Sequence, residues 1–157
     1  MRRASVFLVA AALLLALSAG VALAATFVGT PGPDIINGTN TADLIDGKGG
    51  NDQLSGLDGR DQILGQGGDD LIKGGGGPDR LSGGYGDDTI YGGAGEDSIN
   101  GGPGDDTIVI GDDGNTPDQV ECGTGTDTVY AFGKDHSRLL LDTNNCENII
   151  SFRGDPL

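Results

Sequence analysis

Tryptophan is absent from the 157-residue chain, methionine and histidine occur once each, and aromatic residues make up 4% of it. A core built on large aromatic side chains is therefore excluded. The lone His136 has no second imidazole for a metal centre and no setting for a proton relay. Neither H-E-x-x-H nor G-x-S-x-G occurs, so the common metalloprotease and serine-hydrolase sites are missing and no enzymatic activity is expected. "DDGN" at Asp112 to Asn115 lacks the alternating acids and closing glutamate of a helix–loop–helix calcium loop. Bases are scarce too: nine Lys+Arg stand against 24 Asp+Glu, a net charge of −15. That balance argues against nucleic acid or an anionic membrane as partner and favours cations.

Long apolar runs are confined to the start of the chain. Met1-Arg2-Arg3 is basic, Val6 to Leu17 is unbroken apolar sequence, and Ala22-Leu23-Ala24 fits the small-residue cleavage pattern. Residues 1–24 thus read as a secretory signal peptide, cut after Ala24 or Ala25. Ser5 to Ala25 is also about long enough to span a bilayer, but no basic stop-transfer segment follows it. The expected product is secreted and extracellular, with no membrane contact once the signal is removed.

What the chain has in quantity is glycine, 31 residues, and aspartate, which outnumbers glutamate 21 to 3. A merely solubilising surface has no reason to avoid glutamate, whereas a tight turn needing a short carboxylate does. The two residues share one period. From Gly29 to Val109 the chain divides into nine consecutive nonapeptides without a gap. Position one is Gly in all nine, and position four is Gly in all but the second block, which has Thr41. Position six is always Asp: Asp34, Asp43, Asp52, Asp61, Asp70, Asp79, Asp88, Asp97 and Asp106. Position eight is always Ile or Leu. Phase held over that length is incompatible with a disordered low-complexity tract.

Physically, x-U-x after each Asp predicts a three-residue strand with position eight inward and positions seven and nine outward. The preceding six residues, G-G-x-G-x-D, predict a chain reversal. Two blocks then make an 18-residue coil of turn, strand, turn, strand. Stacked aspartates would lie about 4.8 Å apart, and each bare neighbouring pair would repel by about 1 kcal/mol even at the dielectric of water. A divalent ion between turns reverses that sign. Carboxylate and carbonyl oxygens are hard ligands suited to calcium.

The blocks resemble the G-G-x-G-x-D-x-U-x nonapeptide of the haemolysin-type (RTX) calcium-binding repeats. The second Gly is present only from Gly75 onward, and Thr41-Ala42 weakens the second block. The resemblance implies an all-β parallel β-roll, a right-handed β-solenoid of two facing parallel sheets. It also implies Ca2+ between turns two blocks apart, held by paired position-six aspartates and turn carbonyls, up to about seven ions from Asp34/Asp52 to Asp88/Asp106. The position-five acids Asp69, Asp87, Glu96 and Asp105 are expected to be outer groups or solvated charges.

The phase slips by three residues around "GDDGNTP" and then resumes, with Asp118 and Asp127 nine apart and Val120 and Val129 two residues after them. These two aspartates are less certain ligands. Cys122 and Cys146 are the only cysteines, and in an exported chain they are expected to form a disulfide. The segment they bracket resembles an end module of exported bacterial repeat proteins. Strands are expected at Asp127 to Ala131, Arg138 to Leu141 and Asn148 to Phe152. The organisation is then signal 1–24, a nine-repeat roll 25–109, and degenerate repeats with a small disulfide-closed C-terminal cap 110–157. The functional expectation is extracellular calcium binding with calcium-dependent folding. The alternative is a surface adhesion or interaction module in which calcium is only structural, with its protein or cell-surface partner unknown. Ice binding would need a rank of identical small residues, which position two does not supply.

Overall fold

A computed structural model describes residues 24–111, 117–132, 140–141 and 146–152. All but the last residue of the expected signal segment 1–24, the heart of the three-residue slip and His136 lie outside the described residues. Within them there is no helix, hence none long and apolar enough to cross a membrane. The described residues form fourteen strands in two seven-stranded parallel sheets. The first sheet runs β1 (Ala25–Val28), β3 (Asp43–Asp46), β5 (Gln62–Gly67), β7 (Arg80–Tyr85), β9 (Ser98–Pro103), β11 (Gln119–Thr124), β13 (Leu140–Leu141). The second runs β2 (Ile35–Asn37), β4 (Gln53–Asp58), β6 (Leu71–Gly76), β8 (Thr89–Ala94), β10 (Thr107–Ile110), β12 (Thr128–Phe132), β14 (Asn148–Phe152). Odd and even strands alternate between sheets, so the chain coils as a β-solenoid.

The register follows the repeat. Leu54 pairs with Ile72 and Ile72 with Ile90 in one sheet; Ile63 pairs with Leu81 and Leu81 with Ile99 in the other. All these position-eight side chains are buried, together with Ile45, Ile108, Val120 and Val129. They form one core row between the sheets, because position eight is the inward residue of every strand.

The strands are longer than the expected x-U-x. Half of them, β4 to β9 and β11, span six residues, running through positions one to three of the next block, as in Leu57↔Gly75↔Gly93. Glycine without a side chain lets the strand bend at position two and keep pairing, so only positions four to six reverse the chain. The bend needs a left-handed backbone: φ is 115° at Gly75 and Gly84. Lys48, Leu57 and Gln66 adopt φ of 77°, 78° and 77° at the same position. Left-handed geometry costs a non-glycine residue about 1–2 kcal/mol. Leu57→Gly is therefore expected to stabilise the roll by about 0.5–1 kcal/mol, after the extra chain entropy of glycine is subtracted. Urea denaturation would read this as a higher midpoint.

The roll begins one strand earlier and ends later than the nine blocks. β1 pairs with β3, with Phe27 opposite Ile45. At the other end Ile99 pairs with Val120 and Ile108 with Val129, so the slip is absorbed at a corner and the register is kept. The expected tail strands at Asp127 to Ala131 and Asn148 to Phe152 appear as β12 and β14, and of the one expected at Arg138 to Leu141 the described part, Leu140–Leu141, forms β13. Ile110, Cys122 and Ala131 take the position-one place of glycine, and all are buried. Cys122 is bonded to Cys146, 24 residues on, which ties β11 of the first sheet to the segment before β14 of the second. The closed end is thus a continuation of the coil. Reduction is expected to cost about 3 kcal/mol of stability, seen as a lower Tm.

Candidate metal-binding site

The position-six aspartates stand in two columns on opposite edges of the solenoid, one preceding each sheet. Each from Asp43 onward places Oδ1 on the backbone N–H of the residue one coil earlier. In the column before the second sheet, Asp34 N donates to Asp52, Asp52 N to Asp70 and Asp70 N to Asp88, each at 2.8 Å, then Asp88 N to Asp106 and Asp106 N to Asp127 at 2.9 Å. In the other, Asp43 N donates to Asp61 and Asp61 N to Asp79 at 2.8 Å, Asp79 N to Asp97 at 2.9 Å and Asp97 N to Asp118 at 3.0 Å. Every neighbouring pair expected from the period is brought together. Asp118 and Asp127 are full members of the columns, buried like the rest.

Half of each carboxylate is thus committed to the main chain, where a buried amide needs an acceptor. The other half is different. Oδ2 of Asp52, Asp61, Asp70, Asp79, Asp88, Asp106 and Asp127 is buried without a hydrogen-bond partner. Leaving such an atom unsatisfied is costly, and more so when it is charged. Accordingly burial, opposed by the backbone hydrogen bond and reinforced by neighbouring carboxylates, pushes Asp79 and Asp88 up from 3.8 to about 7. The same causes push Asp52 and Asp106 to about 6. Asp61, Asp70 and Asp127 are raised as well, again chiefly by burial.

Repeated buried anionic oxygens facing no donor are a call for cations. A model of the RTX calcium-binding nonapeptide repeat matches residues 20–54, 46–81 and 73–108, more than half of the chain. The chain belongs to the RTX calcium-binding nonapeptide repeat family. No curated protein and no solved structure matches it. Calcium binding by a non-catalytic β-roll is what this family and this fold support.

The residues fit the ion that RTX repeats bind. A methyl carbon placed on Gly47 would stand 2.5 Å from Asp52 Oδ2 and 3.0 Å from the Gly65 carbonyl oxygen. The same cradle of Asp Oδ2 and a carbonyl one coil on recurs at Gly56, Gly65, Gly74, Gly83 and Gly101. Calcium takes oxygens of this kind at about 2.3–2.6 Å. Among the described residues no three acidic, histidine or cysteine side chains converge, so main-chain oxygens must supply part of any ligand set, as an RTX turn requires.

The first two RTX blocks keep this cradle at Gly29 and Gly38 but differ in how its carboxylate is used. Asp34 Oδ2 accepts Thr30 N–H at 2.5 Å, and Asp43 Oδ2 accepts Thr39 N–H at 2.6 Å and Thr39 Oγ1 at 3.0 Å. Their second oxygens are already satisfied by the chain. At the far end Ile110 and Cys122 replace the glycine of the cradle in the blocks of Asp118 and Asp127. Glu147, which the repeat did not single out, closes one column: Asp127 N donates to its Oε2 at 2.9 Å. The position-five acids form an exposed outer row on one edge only. Asp87 N donates to Asp69 Oδ1 at 3.0 Å, Asp105 N to Asp87 Oδ1 at 2.9 Å, and Thr126 N to Asp105 Oδ1 at 2.8 Å. Glu96 falls on the opposite edge, beside Arg60 and Arg80.

Proposed function

We propose that the protein is exported by its N-terminal signal and that its regular turns take up calcium outside the cell, where the roll then completes its folding. The row of buried, unpartnered Oδ2 atoms carries this reading. The basic start, apolar run and Ala22-Leu23-Ala24 support export, and RTX repeats are typical of secreted proteins.

The proposed ligands are Asp52, Asp61, Asp70, Asp79, Asp88, Asp97 and Asp106, each with a position-one glycine in its own block. Stacked neighbours among them make five pairs: Asp52/Asp70, Asp70/Asp88, Asp88/Asp106, Asp61/Asp79 and Asp79/Asp97. Each pair is one complete inter-turn site. Asp34 and Asp43 are set aside because their own threonine turns satisfy them, and Asp118 and Asp127 because side chains stand where glycine is needed. Bound calcium supplies positive charge to the columns. The chain supplies the spacing, the burial and the carbonyls.

Far-ultraviolet circular dichroism during a calcium titration tests this. The β signal is expected to rise with a midpoint of about 10⁻⁴–10⁻³ M, the range of extracellular calcium modules, and calorimetry should count five ions. Magnesium should not substitute, because it demands a tighter octahedron. Full β signal in chelator, indifferent to calcium, would refute the proposal.

A further inference from the structure

The N-terminal end of one aspartate column is built differently from the rest. Asp43 is 5% exposed. Its Oδ2 is held by Thr39, and its Oδ1 accepts the N–H of Ala25 at 3.1 Å. Ala25 occupies the place of the missing preceding aspartate, directly opposite Asp43 in the register of β1 and β3. It is also the residue that follows Ala22-Leu23-Ala24.

We propose that the Ala24–Ala25 bond is the processing site and that the α-ammonium released at Ala25 is a built part of the fold, docking on the Asp43 carboxylate and closing this column without calcium. The inference rests on the export reading above. In the cleavage, water adds across the amide. Ala24 leaves with the carboxylate, and Ala25 keeps the amine, which takes up a proton because its ordinary pKa is about 7.7–8.0. A neutral amide with one hydrogen is thereby exchanged for a cation with three. A charge-assisted bond of this kind is about twice as strong as a neutral one.

The surroundings suit the exchange. Ala24 and Ala25 line an open groove of about 800 Å³ with Ala42, Asp43, Arg60 and Asp61. The outward hydrogens of the ammonium can therefore stay hydrated while one remains on Asp43. The same end of the solenoid lacks an unpartnered Oδ2 at Asp43, so the ammonium is the cation this turn uses. Removal of the signal would then complete the first coil and leave it ready for the calcium-bound coils to stack on.

The test compares three chains ending at Leu157, in calcium at about pH 7: one starting with a free amine at Ala25, one acetylated at Ala25, and one extended by Gly-Ser before Ala25. Acetylation keeps the N–H and removes the charge. The free-amine chain is expected to melt about 3–6 °C higher than the other two, and the gap should vanish in the Asp43→Asn background. If Asp43→Asn fails to fold, raising NaCl from about 0.05 M to about 1 M should narrow the gap, though only in part because Asp43 is buried. Equal midpoints for the free and acetylated chains, a gap that survives Asp43→Asn, or a gap indifferent to salt would overturn the contact. The mass of the protein recovered from the culture medium reports separately on processing. A chain beginning at Ala25 supports the site. One beginning at Thr26, or one retaining the leader, overturns it whatever the melting comparison shows.

Discussion

In chelator at about pH 8 the roll is expected to be largely unfolded, and acidification towards about pH 5 is expected to restore its β signal without any metal. The sign follows from the buried carboxylates. In the metal-free fold, burial and like-charged neighbours raise Asp79 and Asp88 to about 7, and Asp52 and Asp106 to about 6, from an ordinary 3.8. Groups whose pKa is higher folded than unfolded make the folded chain bind more protons. Their contribution to stability is fully present below about 4 and is lost as pH rises through 6 and 7. In the proposed sites a proton and a calcium ion neutralise the same Oδ2, so they are expected to substitute for each other in the fold and compete in solution. With calcium present the dependence on pH therefore turns over: acidification displaces the ion, and the calcium midpoint moves to higher concentration. Asp88→Asn separates the two effects. Its amide oxygen can keep the bond to Asp70 N while the anionic oxygen is gone. The variant should be less disturbed than the parent by chelator at about pH 8, yet gain less from calcium. Circular dichroism at fixed free calcium across pH reads all of this. A β signal in chelator that falls on acidification would contradict the assignment of these carboxylates as the destabilising groups.

The period was legible because it is a one-dimensional record of a one-dimensional stack. Gly29 to Val109 carried the coil length, the inward row and the two aspartate columns, and the slip near residue 112 pointed correctly to a resumed register at Asp118. What could not be read was whatever depends on a partner one coil away. Oδ1 of Asp70 is engaged by Asp52 N, 18 residues earlier, and nothing local to Asp70 says that half its carboxylate is already committed. Strand length was misjudged for the same reason. G-G-x looks like turn sequence by itself and becomes strand only because an identical G-G-x lies alongside it. The first strand was hidden because Ala25 to Val28 abuts the N-terminal apolar run and contains no repeat residue. Glu147 was hidden because the closing position uses a longer acid at a separation of 20 residues from Asp127. Thr30 and Thr39 did leave a signal. They replace the left-handed position-two residue, and with it the geometry that leaves Oδ2 free.

Gly83→Ala is expected to remove the two calcium sites that share Asp88 and lower Tm by about 10 °C or more, although it adds a single methyl group. Gly83 does not adopt a left-handed backbone, so alanine is conformationally acceptable there. The obstacle is space: the new carbon would stand 2.6 Å from the Gly101 carbonyl oxygen and closer still to Asp88 Oδ2. Both atoms belong to the cradle proposed for the ion. Overpacking a tight interior alone costs about 1–3 kcal/mol, and displacement of the carboxylate adds the loss of linked calcium binding, which grows with the logarithm of free calcium. The melting deficit of Gly83→Ala should therefore widen as calcium is raised, whereas a purely steric defect would give a constant one. Gly67→Ala is the control. It sits two residues after the position-one Gly65 of its own block, has no atom within 4 Å of the added carbon, and should be neutral or gain up to about 1 kcal/mol from reduced freedom of the unfolded chain. Calorimetry should count two ions fewer for Gly83→Ala and the full number for Gly67→Ala. If Gly83→Ala binds the full number with unchanged affinity, the glycine is there for the backbone alone and the cradle is not where calcium sits.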